Sequence, residues 1–273
     1  MTHASFLGRI VLAVALISVV NGSLEGAHAQ PEILTVAAAN SLKDALRKAL
    51  PVFESQHPEV QVRVIYGPSQ TLRRQIEEGA PIDVYLPSLF EEIEDLEKKG
   101  LVLNGTKQVF ASTSLVLITG SSTPTPVSSL NELREAPVRR LAIGDPKTSS
   151  VGKVAVEFLK NSKLAPTFKS QLVYGQHSRA VLDLVAAGEA EIGVVYRTDA
   201  ASSNQIRVLD TAPAGSHRPI RYGIAAVWTA KNHSAARELT DFLLSGEIQP
   251  QLAKLGFDPA DSRVAKKAEP ELR

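Results

Sequence analysis

Strand-like apolar runs alternate with amphipathic helical runs along nearly all of this chain, and that alternation constrains its fold more than any other feature. "ILTVAAA" (Ile33–Ala39) is a continuous apolar run of strand length, and Leu42, Ala45, Leu46, Ala49, Leu50 and Phe53 then recur at helical spacing. Further strands are expected at Val60–Tyr66, Asp83–Leu86, Thr113–Thr119 and Ile192–Tyr196, in "SQLVYG", "IRVLD" and "IRYGIAAVW", and as a short strand and turn over Arg139–Pro146. Helical patterns fall between them and stop at glycines such as Gly79 and Gly100. Such alternation makes an α/β fold with mainly parallel sheets flanked by helices. The strands are too many for one small sheet, so two lobes are expected. Phe110–Thr119 and Ile220–Trp228 are the candidate crossover strands between them, and the charged tail from Asp258 is expected to fray.

Residues 1–29 are expected to be a secretory signal peptide. Arg9 supplies the positive start, "IVLAVALISVV" (Ile10–Val20) an apolar stretch too short to span a bilayer, and "AHA" (Ala27–Ala29) a small-residue cleavage site. An exported chain could carry disulfides, but this one contains no cysteine, and so no disulfide and no lipid-modified cysteine either. A soluble periplasmic protein is the expectation. With a net charge of +1 and mixed signs, the chain has no basic footprint for nucleic acid. Its low aromatic content offers no base-stacking surface.

Catalytic signals are weak. The histidines after the leader, His57, His177, His217 and His233, are scattered and none lies in an HExxH pattern. "YGPSQTL" is neither a GxSxG elbow nor a P-loop. A different pattern recurs four times: Ser41, Ser69, "SSVG" (Ser149–Gly152) and "HSRA" (His177–Ala180) each stand where a strand hands over to a helix. Each is open to two readings. A serine there can cap the helix. Alternatively, hydroxyls and free amides at the carboxyl ends of parallel strands can cradle an anion.

"LTVAAANSLKDAL", "YGPSQTLRRQIEEGAPIDVYL", "LAIGDPKTSSVG" and "GVVYRTDA" together resemble the molybdate-binding periplasmic proteins of ABC importers, from about Ile33 to Phe257. The resemblance implies a two-lobe type II periplasmic binding protein, with residues 30–110 and 222–273 as lobe I and 111–221 as lobe II. It implies capture of molybdate, and of tungstate, in the interlobe cleft and delivery to an inner-membrane ABC permease by a monomer. Carried over by position, the oxyanion ligands are Ser41, Ser69, Val151, Ser178 and Tyr196, with Val151 and Ser178 acting through their backbone amides. On this reading Ser41 both caps its helix and binds the anion, and His177 faces solvent. No catalytic residue, no cofactor and no direct metal ligand are implied, because metal is met only through the molybdate oxygens.

The sequence also departs from the family pattern. Asn40 stands where the family often has alanine, and Pro68 and Gln70 replace serines around Ser69. "DVYLPSL" (Asp83–Leu89) lacks an acidic residue at Leu89. These departures bear on ligand selectivity. A receptor for sulfate or phosphate, a sensory domain without transport and an exported serine hydrolase are the alternatives.

Overall fold

A computed structural model describes residues 30–125 and 127–259. The expected signal peptide and the tail beyond Pro259 lie outside the described residues. The chain opens with β1 (Glu32–Ala39), a single 3-10 turn (Asn40–Leu42), α1 (Lys43–Gln56), β2 (Val60–Gly67), α2 (Ser69–Glu77), β3 (Val84–Leu86) and α3 (Glu91–Lys98). Next come β4 (Gln108–Thr113), β5 (Leu115–Gly120), β6 (Leu141–Gly144), α4 (Ser150–Asn161), α5 (Ala165–Phe168) and β7 (Leu172–Gly175). Then follow α6 (Ser178–Ala186), β8 (Ile192–Tyr196), α7 (Arg197–Ala200), β9 (Ile206–Thr211) and β10 (Ile220–Ala226). The chain closes with α8 (His233–Leu244), α9 (Gln249–Ala253) and β11 (Asp258–Pro259).

Two mixed sheets result, one of six strands in the order β11-β4-β10-β3-β1-β2 and one of five in the order β7-β6-β8-β5-β9. Among the described residues, parallel pairing is confined to β1 with β2 and β3, and to β6 with β7 and β8. Strands that enter a sheet near a crossing run against these and make antiparallel pairs, as β10 does with β3 and β4, and β5 with β8 and β9. The first crossing divides the expected Phe110–Thr119 strand at Ser114, so that β4 lies in one sheet and β5 in the other. The second crossing lies earlier than expected. β10 stays within the first sheet, and residues 212–219, which contain Pro213 and a left-handed Gly215 (φ 83°), make the passage. At the tail, Asp258–Pro259 pair with β4 instead of fraying.

Burial follows from the sequence pattern. In β1 the last six residues are buried, as a strand between two parallel neighbours requires. α1 buries Ala45, Leu46, Ala49, Leu50 and Phe53 along one stripe. A main core cluster takes in residues of both sheets, from Leu34 and Val84 to Leu141 and Val194. At their junction Tyr222 is ringed by Phe110, Tyr196 and Phe257, with ring centroids 6.2, 6.2 and 5.1 Å away. The two sheets thus meet around an aromatic cluster, and the parallel halves of both aim their carboxyl ends at one place.

Candidate functional site

That place is a small pocket lined by thirteen residues from both sheets. β1 delivers Asn40 and Ser41 to it, β2 delivers Pro68 and Ser69, and the turn after β3 delivers Ser88. From the second sheet come Ser149, Ser150 and Val151 after β6, His177 and Ser178 after β7, and Tyr196 at the end of β8. All five residues expected from the sequence, Ser41, Ser69, Val151, Ser178 and Tyr196, therefore line one pocket. Among the described residues no lysine, arginine or carboxylate lines it. The field inside is set by the amino ends of helices, where unpaired amides carry partial positive charge.

Those amides are largely left free by side chains. The 3-10 turn, α1, α2 and α4 have no side-chain cap hydrogen bond. This corrects the expectation that Ser41 caps its helix. The exception is α6, where His177 Nδ1 accepts from the Ala180 amide at 3.2 Å. His177 lines the pocket and does not simply face solvent, and as an acceptor its Nδ1 carries no proton. Burial holds its pKa below the ordinary histidine value, against the pull of Asp183 and with the repulsion of Arg179.

The hydroxyls are oriented by the protein. Tyr222 OH donates to Ser41 Oγ at 3.0 Å and pairs with Thr198 Oγ1 at 3.2 Å. Because Ser41 Oγ accepts from Tyr222, its own proton is free to point into the pocket. Ser69 is held by Ser88: its Oγ accepts from the Ser88 amide at 3.2 Å and pairs with Ser88 Oγ at 3.3 Å, while Tyr85 OH donates to its carbonyl at 2.7 Å. Neither serine oxygen accepts from an amide in the first turn of its own helix, as a cap would.

Three other polar groups at the pocket are buried and have no partner within the protein: Asn40 Nδ2, Ser150 Oγ and Tyr196 OH. Buried polar atoms are normally paired, so a cluster of unpaired donors calls for an acceptor that the protein itself does not supply. Tyr196 is 1 % exposed. Burial, with the neighbouring Tyr222 adding to it, pushes its pKa well up, so it remains a donor at any physiological pH.

Positive charge beside the pocket is already engaged. Arg179, next to Ser178, donates to Asp44 Oδ2 (2.6 Å), Asp199 Oδ1 (3.1 Å) and Ser202 Oγ (2.6 Å). Asp199 is fully buried with Oδ2 unpartnered, and burial pushes its carboxyl up to about 6 despite Arg179 and Ser178. Outside the pocket, the fold brings His57, Glu59 and Glu238 together as an exposed or half-buried cluster.

Sequence reasoning missed several of these residues. Ser88 had a faint signal, a serine just past a strand, but it sits in the segment that departs from the family pattern. Tyr222 had none. Its role depends on a strand about 180 residues from Ser41 lying beside it.

The chain belongs to the bacterial extracellular solute-binding proteins, a family that matches residues 34–258. It is thus a binding protein and not an enzyme. The molybdate-binding protein ModA of Haemophilus influenzae is 32 % identical over 234 residues, covering 82 % of this chain and 89 % of that one. A substrate-binding domain assigned to a molybdenum ABC transporter of Clostridium difficile is 30 % identical, with a TM-score of 0.68 over 84 % of this chain and 99 % of that one. A sulfate-binding protein of Synechococcus elongatus is 25 % identical over 296 residues, covering 95 % of this chain and 84 % of that one. Among the described residues no helix is long and apolar enough to cross a membrane.

Proposed function

We propose that this protein is the periplasmic receptor of an ABC importer and that it captures molybdate, with tungstate as a close substitute, through Ser41, Ser69, Val151, Ser178 and Tyr196. The observation that carries this reading is a pocket lined by hydroxyls and helix-start amides with no charged side chain, in which the buried Ser150 hydroxyl and Asn40 Nδ2 have no protein partner. A lining rich in donors and free of carboxylates suits a fully deprotonated dianion. Hydrogen phosphate would turn its proton toward another donor. The molybdate-binding relatives support the choice of ligand, the leader-like residues 1–29 support export to the periplasm, and the solute-binding family supports an inner-membrane permease as partner. On this reading the two sheets are the cores of two lobes that close on the anion, and metal is touched only through its oxygens.

Sulfate is the second reading, favoured by the sulfate-binding relative. Sulfate has the right charge but is smaller and reaches fewer donors at once. Calorimetric titration of the purified chain with molybdate, tungstate, sulfate and phosphate decides between them. Molybdate and tungstate are expected to bind comparably and more tightly than sulfate, with phosphate weakest. A preference for sulfate over molybdate would assign the protein to the second reading.

A further inference from the structure

We propose that the Ser150 hydroxyl is a further ligand donor of this pocket, beside the five residues named above. The inference rests on the anion-binding reading. Ser150 is the first residue of α4, a helix of 12 residues, and Ser149 at its N-cap is extended (φ −118°, ψ 130°) and makes no side-chain cap bond. It is 2 % exposed, its Oγ is buried without a partner, and it lines the pocket between Ser149 and Val151. A buried hydroxyl ordinarily has a hydrogen-bond partner. Here the hydroxyl is left over, and the missing acceptor is supplied if an oxygen of the anion sits in the pocket.

The position is fixed by packing and does not depend on the ligand. A Cβ on Gly152 would come within 2.3 Å of the Gly144 carbonyl oxygen, and one on Gly144 within 2.7 Å of Val151 Cγ1. The first turn of α4 is therefore pressed against the end of β6 with no room to shift. That contact holds the Ser150 hydroxyl and the Val151 amide side by side, so one turn offers two donors already in place before binding. With Ser150 included, four hydroxyls (Ser41, Ser69, Ser150 and Tyr196) come from four separate segments of the chain. Such a shell takes a tetrahedral dianion with every oxygen unprotonated.

The test pairs affinity with ligand-free stability. Purified wild type, Ser150→Ala and Ser41→Ala are titrated with sodium molybdate, and each is melted without ligand. Ser150→Ala is expected to weaken molybdate binding roughly ten- to a hundredfold, the effect of one hydrogen bond to a charged group. Its ligand-free Tm should be equal to or above wild type, because an unsatisfied buried hydroxyl has been removed. Affinity and stability then move in opposite directions, which a packing role does not produce. Wild-type affinity in Ser150→Ala together with weakened binding in Ser41→Ala would overturn this inference alone and leave the anion reading standing. A ligand-free Tm that falls in step with affinity would also overturn it. A wild type that binds neither molybdate, tungstate nor sulfate would overturn the anion reading and this inference with it.

Discussion

Tyr222 links the junction between the sheets to the pocket. Its ring packs among three aromatics, and its hydroxyl holds Ser41 Oγ in an acceptor role. Tyr222→Phe keeps the packing and removes the hold. Thr198 loses a partner, so stability should fall by about 1–2 kcal/mol. Ser41 is then free to rotate, and molybdate affinity should drop several-fold. Because both effects run through Ser41, Tyr222→Phe and Ser41→Ala should be less than additive in a calorimetric double-mutant cycle, whereas independent sites add within ~0.5 kcal/mol. Asp199 makes a pH prediction. Its folded pKa, about 6, is raised by burial above the ordinary aspartate value of 3.8. The folded state therefore holds this proton more tightly than the unfolded chain. The associated stability is full below about 3.8 and is lost as pH rises through about 6. Asp199→Asn removes this dependence. Relative to wild type, the variant should gain stability between pH 5 and pH 7.5 in thermal melts, and a constant difference across that range would count against the assignment.

At the scale of elements, the start of α4 shows packing overriding propensity. Alanine is a better helix former than glycine by ~1 kcal/mol, so propensity alone makes Gly152→Ala stabilising. The close approach to Gly144 reverses this: the new methyl would lie 2.3 Å from the Gly144 carbonyl oxygen, a backbone atom that cannot swing aside. Gly152→Ala is expected to lower the Tm by an amount corresponding to ~1–3 kcal/mol or more, the range for overpacking. Gly188→Ala tests a different cost. That glycine ends the turn after α6 with φ 74° and open space around it, so any loss there comes from backbone conformation alone. Regular elements such as β1, α1, α2 and β8 were legible because their apolar periodicity is long and unbroken. The four-residue helices α5 and α7 were not, since one turn carries no period to read. The strand-end serines marked the pocket from sequence, but which of their lone pairs were already occupied depended on Tyr222 and Ser88 arriving from distant segments.

Across the whole molecule, ion pairs tie elements packed on one sheet to elements packed on the other, on both sides of the pocket. Arg179 of α6 reaches Asp44 of α1. Lys153 of α4 reaches the fully buried Glu92 of α3, which Arg73 of α2 also holds, at 3.0 and 2.7 Å. Arg218, in the second crossing, joins Glu91 of α3 to Glu157 of α4. If the two sheets are the cores of closing lobes, these pairs exist only in the closed form and favour it. A receptor binds in proportion to the population of its binding-competent state, so a weaker latch lowers affinity without touching the ligand. Asp44→Asn is the cleanest probe, because Arg179 keeps Asp199 and Ser202 as partners and is not left unpaired. Asp44 and Arg179 are each about a quarter exposed, which limits the pair to ~1 kcal/mol, or about fivefold in affinity. The loss should appear in the dissociation rate, because opening of the cleft releases the anion. Stopped-flow measurement of molybdate release should show Asp44→Asn about fivefold faster than wild type, with a gap that narrows as salt screens the wild-type pair. X-ray scattering should show a larger radius of gyration for ligand-free Asp44→Asn and convergence with wild type at saturating molybdate. Unchanged release kinetics together with an unchanged scattering profile would mean that the pair decorates one rigid body and that closure is governed elsewhere.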